Sequence, residues 1–268
     1  MIRLALRVRR GDAELVLAEL LELAPNGVEE TEDGEVVEFA VYGAPGELPA
    51  LPALRAAAGA AFVEVETEEI PDDWYDGWKE FHRPIVVGDR LRVRPPWEER
   101  VDDGNVDVVI DPGMAFGTGA HPTTRMCLDL MLDLDPGGPF ADLGCGSAVL
   151  AIAAAKLGWD PIVALDHEAA AVEAARANAA ANGVVLESRR WDLRRDDLPA
   201  APTIAANLLR PLLLELAQRL DAPPTHLVAG GLLVEQVDEV AGAFAARGLI
   251  ERSRRTDGDW AALLLARR

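Results

Sequence analysis

The segment Asp142-Leu143-Gly144-Cys145-Gly146-Ser147-Ala148 closes an apolar run that begins at Phe140 and is followed at once by Val149-Leu150-Ala151-Ile152-Ala153. An apolar strand that ends on two closely spaced glycines and re-emerges as a helix is the strand-turn-helix unit of an open α/β sheet. Gly144 and Gly146 let the backbone turn tightly and approach a ligand at the helix amino terminus, where unpaired N–H groups gather. Alternating periodicities continue downstream. Strands are expected at Phe140–Leu143, Pro161–Leu165, Val184–Ser188, Thr203–Ala206, His226–Gly230, Leu249–Arg254 and Trp260–Ala266, and helices at Ala148–Leu157, Ala169–Asn182, Pro211–Leu220 and Val234–Ala246. This predicts an α/β fold, a doubly wound sheet with helices on both faces.

The first quarter of the chain has a different texture. A strand at Ile2–Val8, an amphipathic helix near Asp12–Leu23, strands at Gly27–Glu32 and Glu35–Tyr42 around Asp33-Gly34, a helix at Leu51–Ala58 and a strand at Ala61–Glu69 give the order βαββαβ. That order is the ferredoxin-like pattern, and Asp-Gly is a strong two-residue hairpin signal. Beyond Pro71, Trp74, Trp78 and Phe81 share one helical face, which predicts a linker helix whose aromatic stripe packs against a neighbouring domain. A hairpin at Ile85–Val93 and a strand at Val106–Ile110 then lead into a glycine-rich loop. The expected domains are 1–69, ferredoxin-like; 70–84, linker helix; and 85–268, the α/β domain that carries the chemistry.

Several function classes are excluded early. No stretch reaches the ~20 apolar residues needed to span a bilayer, and MIRLALRVRR alternates like a strand and lacks the layout of an export signal. Cys127 and Cys145 are the only cysteines. They support neither a disulfide framework nor a zinc site, and a cytoplasmic, reducing compartment is expected. A net charge of −20 argues against nucleic-acid binding, which draws its affinity from clustered Lys and Arg, and suits a basic partner or simple solubility.

Three further features cluster with the glycine turn. Asp166 ends the next strand about twenty residues on, where an acidic side chain can hold ribose hydroxyls. Val149 occupies the position of the third glycine in the dinucleotide fingerprint, which disfavours a nicotinamide enzyme. Asn207, in Ala205-Ala206-Asn207-Leu208-Leu209, ends a later strand and should face the same crevice; its amide carbonyl can accept from an amine N–H, or its side chain can cap the following helix. Finally, Asp111-Pro112-Gly113-Met114-Ala115-Phe116-Gly117-Thr118-Gly119-Ala120-His121-Pro122-Thr123-Thr124 is long and glycine-laden, as ligand clamps are. Thr123 and Thr124 stand where a helix begins and can cap it; His121 is readable as a base or as hydrogen-bonding scaffold.

Asp111–Thr124 followed by Asp142–Ala148, Asp166 and Asn207-Leu208 resembles the ribosomal protein L11 methyltransferase family over nearly the full chain. The resemblance implies a seven-stranded, Rossmann-like methyltransferase domain behind a ferredoxin-like substrate-recognition domain. It implies S-adenosyl-L-methionine as cofactor, held by Thr124, Gly144, Gly146, Asp166 and Asn207 with Phe116 closing over it, and no metal. It further implies methylation of lysine or N-terminal amines of ribosomal protein L11. A monomer is expected, and the mechanism expected of the site has the Asn207 amide carbonyl and the Leu208 backbone carbonyl accepting the amine's hydrogens. Ala148 departs from the family, which often carries glycine there, and one methyl is expected to be tolerated. Methylation of another protein's lysine, or adenosylmethionine binding without catalysis, are the alternatives.

Overall fold

Period-two alternation places Leu4, Leu6 and Val8 of β1 (Ile2–Arg9) on one face, all buried, while Arg3 and Arg7 of the opposite face pair with Glu38. Partly exposed ion pairs are worth ~0–1 kcal/mol, so the apolar face dominates. The computed structural model describes residues 2–13, 16, 20, 29–43, 48, 54–55, 58–69, 83–111 and 121–268. Within them the chain divides into two units, Met1–Phe81 and His82–Arg268. In the first unit, β1 lies between β3 (Val36–Gly43) and β4 (Phe62–Glu69), and β2 (Glu29–Asp33) pairs with β3, all antiparallel, in the order β2-β3-β1-β4. Ala13, Val16, Leu20, Leu54 and Ala58 are helical and buried with the β1 and β3 side chains in one core. Most of the two expected helices, and residues 70–82 of the expected linker helix, lie outside the described residues. The hairpin differs from expectation by one position: Asp33 pairs with Val36, so Gly34 and Glu35 form the loop, with Gly34 at φ +63°. A single positive φ at the first loop position suits glycine there, as type II′ turns require.

The second unit holds two sheets. β5 (Ile85–Val87), β6 (Leu91–Arg94) and β7 (Val106–Val109) form a small sheet in which β6 and β7 run parallel. The large sheet contains β8 (Phe140–Leu143), β9 (Ile162–Asp166), β10 (Glu187–Arg190), β11 (Thr203–Asn207), β12 (His226–Leu233), β13 (Leu249–Asp257) and β14 (Trp260–Arg267), in the order β10-β9-β8-β11-β12-β14-β13. β8 to β12 are parallel and β14 is antiparallel to both neighbours. Because the sheet is covered on both sides, alternate residues feed two cores. Phe140, Ala205, Val228 and Leu264 pack with α1 (Pro122–Leu132), α2 (Val149–Leu157) and Ala175 of α3 (Ala169–Asn182). Leu143, Ile204, Ala206, Leu227 and Leu263 pack with α4 (Arg210–Arg219) and α5 (Val237–Ala245).

Several boundaries move: β13 runs on to Asp257, and α5 starts at Val237 because Val234–Gln236 is a 3-10 turn. Two further shifts have local causes. β10 begins at Glu187 because Gly183 ends α3 with φ +64° and Val184 N–H bonds back to the Ala179 carbonyl, so the helix exit consumes the residues before the strand. β12 runs on to Leu233 through a register shift between Ala229 and Leu232. No helix among the described residues is long and apolar enough to cross a membrane.

Candidate functional site

The chain leaves β8 toward β9 and β10 on one side and returns through β11 and β12 on the other, so the strand order reverses between β8 and β11. Crevices at the carboxyl ends of strands open at such a reversal. The glycine turn sits there. Gly144 and Cys145 N–H groups both donate to the Leu165 carbonyl, at 2.8 and 3.0 Å, fastening the turn to the end of β9. Gly144 (φ +71°) and Gly146 (φ +51°) adopt torsions that cost glycine little. A Cβ on Gly144 would also collide with the Leu208 side chain, so the ends of β8 and β11 converge closely. Ala148 is the unusual residue: fully buried, it occupies left-handed space at φ +64° directly before α2. Its methyl fits, but the backbone conformation costs about 1–2 kcal/mol, only partly offset by the ~0.8 kcal/mol of one buried carbon.

Asp166, at the end of β9 and 8% exposed, accepts the Gly146 N–H at 2.9 Å on one oxygen and the Glu168 N–H at 3.0 Å on the other. The first of these, Oδ2, keeps a second acceptor site for a ligand hydroxyl, while Oδ1 also lies 3.5 Å from His167 Nδ1. Asp142 lies beneath the turn, fully buried, and accepts the Ala151 N–H at 3.1 Å. Burial pushes its carboxyl up to about 7, the Asp166 charge pushes the same way, and the Ala151 bond opposes both. Folding therefore tightens proton binding relative to the ordinary ~3.9 of a free Asp. The sign follows: this group's contribution to stability is complete below pH ~4 and is lost as pH rises through about 7. Asp142→Asn should remove that slope, which thermal melts of both proteins across the interval will show; parallel profiles would contradict the assignment. Burial, with Asp142 nearby, also pushes the Cys127 and Cys145 thiols far upward, so neither is a nucleophile at neutral pH.

Asn207 ends β11. Its Nδ2 donates to the Thr124 hydroxyl at 3.3 Å, while its buried Oδ1 has no hydrogen-bond partner among the described residues. It does not cap α4: the residue in that position is Leu209, which makes no side-chain cap bond. Thr124 is likewise taken from capping, since His121 caps α1 by accepting from the Thr123 N–H through Nδ1 at 3.4 Å. The His121 ring also contacts the Thr123 hydroxyl at 2.8 Å and Trp260 edge-on at 4.8 Å, a scaffold arrangement. Burial lowers its pKa, with Arg125 acting in the same direction.

A cavity of about 400 Å³ is lined by Gly144, Asp166 and Leu208 together with Trp191, Asp192 and Leu209. Gly146, Asn207 and Thr124 are not part of its lining: Gly146 bonds Asp166, and Asn207, next to Leu208 in the chain, bonds Thr124. Phe116 falls outside the described residues. Two larger cavities, of about 580 and 510 Å³, lie near the amino ends of the strands and include no residue of the glycine turn. Two groups of residues in this region escaped the sequence reading. Trp191-Asp192 follows β10, where Trp191 N–H bonds the Asp166 carbonyl at 2.8 Å; an aromatic-acidic pair just past a strand end was the available signal. Gly230-Gly231 lies at the register shift of β12 and presses on the β11 end. The Gly230 carbonyl accepts the Leu208 N–H at 3.2 Å, a Cβ on Gly230 would fall 2.8 Å from Asn207 Oδ1, and one on Gly231 would be driven into the Leu208 carbonyl.

Residues 50–268 match the family described as Ribosomal protein L11 methyltransferase (PrmA). The chain is 39% identical to the ribosomal protein L11 methyltransferase of Geotalea uraniireducens, over 72% of this chain and 67% of that protein. It is 41% identical to that of Pseudomonas putida, over 72% of this chain and 68% of that one. The chain thus spans about two thirds of the length of these relatives. The crystal structure of ribosomal protein L11 methylase from Lactobacillus delbrueckii subsp. bulgaricus superposes with a TM-score of 0.64 at 29% identity, covering 70% of this chain and all of that one. Sequence match, structural superposition and the arrangement of β8, β9 and β11 agree, and the chain belongs to the ribosomal protein L11 methyltransferase family.

Proposed function

We propose that this chain is an S-adenosylmethionine-dependent protein N-methyltransferase that methylates lysine or N-terminal amines of ribosomal protein L11. The observation that carries this reading is the buried Asn207 Oδ1, an acceptor without a partner among the described residues, at the end of β11 on the same side of the sheet as a glycine turn and an acidic strand end. A buried acceptor left unmatched costs about 1–3 kcal/mol, and such an atom is kept where a ligand donor meets it. The donor set fits the cofactor: Asp166 has an acceptor site for a ribose hydroxyl, and Gly144, Trp191 and Leu209 wall the adjoining cavity. Gly146 N–H orients Asp166, and Thr124 holds the Asn207 amide in place.

When bound, S-adenosylmethionine supplies a methyl group activated by its sulfonium. The chain's own part is to bind and aim the nucleophile. An amine entering the cleft leaves water, which disfavours its charged form and frees the lone pair. Asn207 Oδ1 and the Leu208 carbonyl then accept its hydrogens and direct that lone pair, so that positioning supplies most of the rate. We assign residues 1–69 to recognition of the protein substrate, as a ferredoxin-like module joined through residues 70–84 to the domain at 85–268, with the cytoplasm as the site of action and a monomer as the working form.

Intact-mass measurement of purified ribosomal protein L11 after incubation with the chain and cofactor tests this reading. Increments of one methyl group or its multiples are expected, and an unchanged mass rejects it. The ribose assignment has its own check. Asp166→Ala is expected to weaken S-adenosylmethionine binding by roughly 1.5–3 kcal/mol, the value of hydrogen bonds to a charged group. Titration calorimetry showing unaltered affinity would leave Asp166 as a brace for the Gly146 N–H alone.

A further inference from the structure

Two asparagines one turn apart on α3, Asn178 and Asn182, reach the backbone that leaves β7, and they do different things there. Asn182 makes a strand-like pair with Val109, whose N–H donates to its Oδ1 at 2.8 Å and whose carbonyl accepts from its Nδ2 at 2.6 Å, and the same Nδ2 donates to the Asn178 backbone carbonyl one turn back at 2.8 Å. Asn178 is 3% exposed and bridges two separate segments. Its Oδ1 accepts the Asp111 N–H at 3.0 Å, and its Nδ2 donates to the Ser147 carbonyl at 3.0 Å. Asp111 opens the glycine-rich segment. Ser147 lies inside the glycine turn, between Gly146, whose N–H holds Asp166, and the left-handed Ala148.

The turn has reason to need such a tie. Gly144, Gly146 and Ala148 all have positive φ. Two of these positions are glycine, which has the widest backbone freedom to lose, and the third is strained. A turn of that composition keeps one shape only where its surroundings over-determine it. The same amide that fixes Ser147 also fixes Asp111, so the two segments are held at one separation by a single rigid planar group.

We propose that Asn178 is a positioning residue for cofactor binding, locking the shape of the glycine turn by bracing Ser147 against Asp111, so that the turn meets its ligand already formed. The proposal rests on the adenosylmethionine reading above. Without the bridge, the ligand must order the turn itself, and that cost appears as lost affinity.

The test is titration calorimetry with S-adenosylmethionine on wild type, Asn178→Ala, Asn178→Ser and Asn182→Ala, below the melting temperature of every variant. Asn182→Ala removes bonds of the same kind from the same helix, so it reports what structural damage alone does. It should melt earlier yet bind within about twofold of wild type, whereas both Asn178 variants should lose about ten- to hundredfold in affinity, as when a group supporting ligand-contacting atoms is removed. Asn178→Ser leaves a hydroxyl and room for water, and so gives the folded comparison if the alanine variant does not fold. Wild-type affinity in a folded Asn178 variant, or an equal loss in Asn182→Ala, overturns the proposal. Absence of binding by the wild-type chain overturns the cofactor reading and the proposal with it, and the wild-type titration alone identifies that case.

Discussion

Asn207→Ala is expected to lower single-turnover methyl transfer about a hundredfold, the equivalent of one transition-state hydrogen bond of ~3 kcal/mol. The structure sets an unusual expectation for stability in the same variant. The substitution removes the bond from Nδ2 to the Thr124 hydroxyl, but it also removes the buried Oδ1 that has no partner among the described residues. A neutral hydrogen bond contributes about 1 kcal/mol and an unmatched buried acceptor costs about 1–3 kcal/mol, so the variant should melt at or slightly above wild type. A side chain kept for structure would show the reverse, a lower melting temperature with turnover of the folded protein intact. Asn207→Asp sharpens the contrast. It retains an acceptor and adds a charge that stabilises the substrate ammonium, so its rate should recover only as pH rises. Single-turnover rates across pH, measured beside thermal melts, separate the accounts, and wild-type rates in both variants would remove Asn207 from the mechanism.

Gly231→Ala should be damaging in a different way. Gly231 has φ +79°, and an added Cβ would be driven into the Leu208 carbonyl oxygen and lie 2.8 Å from its carbon. The contact is with backbone, so no side-chain rotation relieves it. Left-handed strain of about 1–2 kcal/mol and overpacking of about 1–3 kcal/mol together predict a loss of about 2–5 kcal/mol. Any relaxation displaces the Leu208 carbonyl, one of the two groups proposed to receive the amine, so the folded fraction should also turn over slowly. Denaturant unfolding and rates corrected for folded fraction measure the two effects separately. Gly242, inside α5 and facing open space, is the control: a Cβ there meets nothing within 4 Å beyond its own helix backbone and chain neighbours, so alanine should leave turnover at wild type and raise stability by about 0.5–1 kcal/mol.

Much of the α/β unit was legible because its signals are local. The helix at Ala169–Asn182 has its expected bounds, since an alanine-rich run with helical spacing stops at Gly183, whose left-handed conformation ends it. β11 and β14 start where their apolar runs start, and the residues singled out at the ends of β8, β9 and β11 meet at one reversal of strand order because strand, turn and helix alternate without interruption. The hairpin at Asp33-Gly34 was placed one residue early: the dipeptide signals a turn, but pairing of Asp33 with Val36 chooses which two residues form it.

Other features depended on partners distant in the chain. Nothing near Val106 indicates that β7 pairs in parallel with β6 and stands apart from the large sheet. Asn207 reads equally well as a cap or as an acceptor until Leu209 is seen in the cap position and Thr124 on its amide. The glycines at 230 and 231 look like an ordinary strand end until the Leu208 backbone is found against them, and Asn178 looks like one polar residue in an alanine helix until Asp111 and Ser147 are found on its amide. The sequence by itself determined the α/β alternation, the glycine turn and the acidic and amide residues at the strand ends, because periodicity and turn chemistry act over a few residues. Tertiary structure alone decided which polar atoms are satisfied and which glycines are crowded, because burial and close approach are properties of segments that only folding brings together.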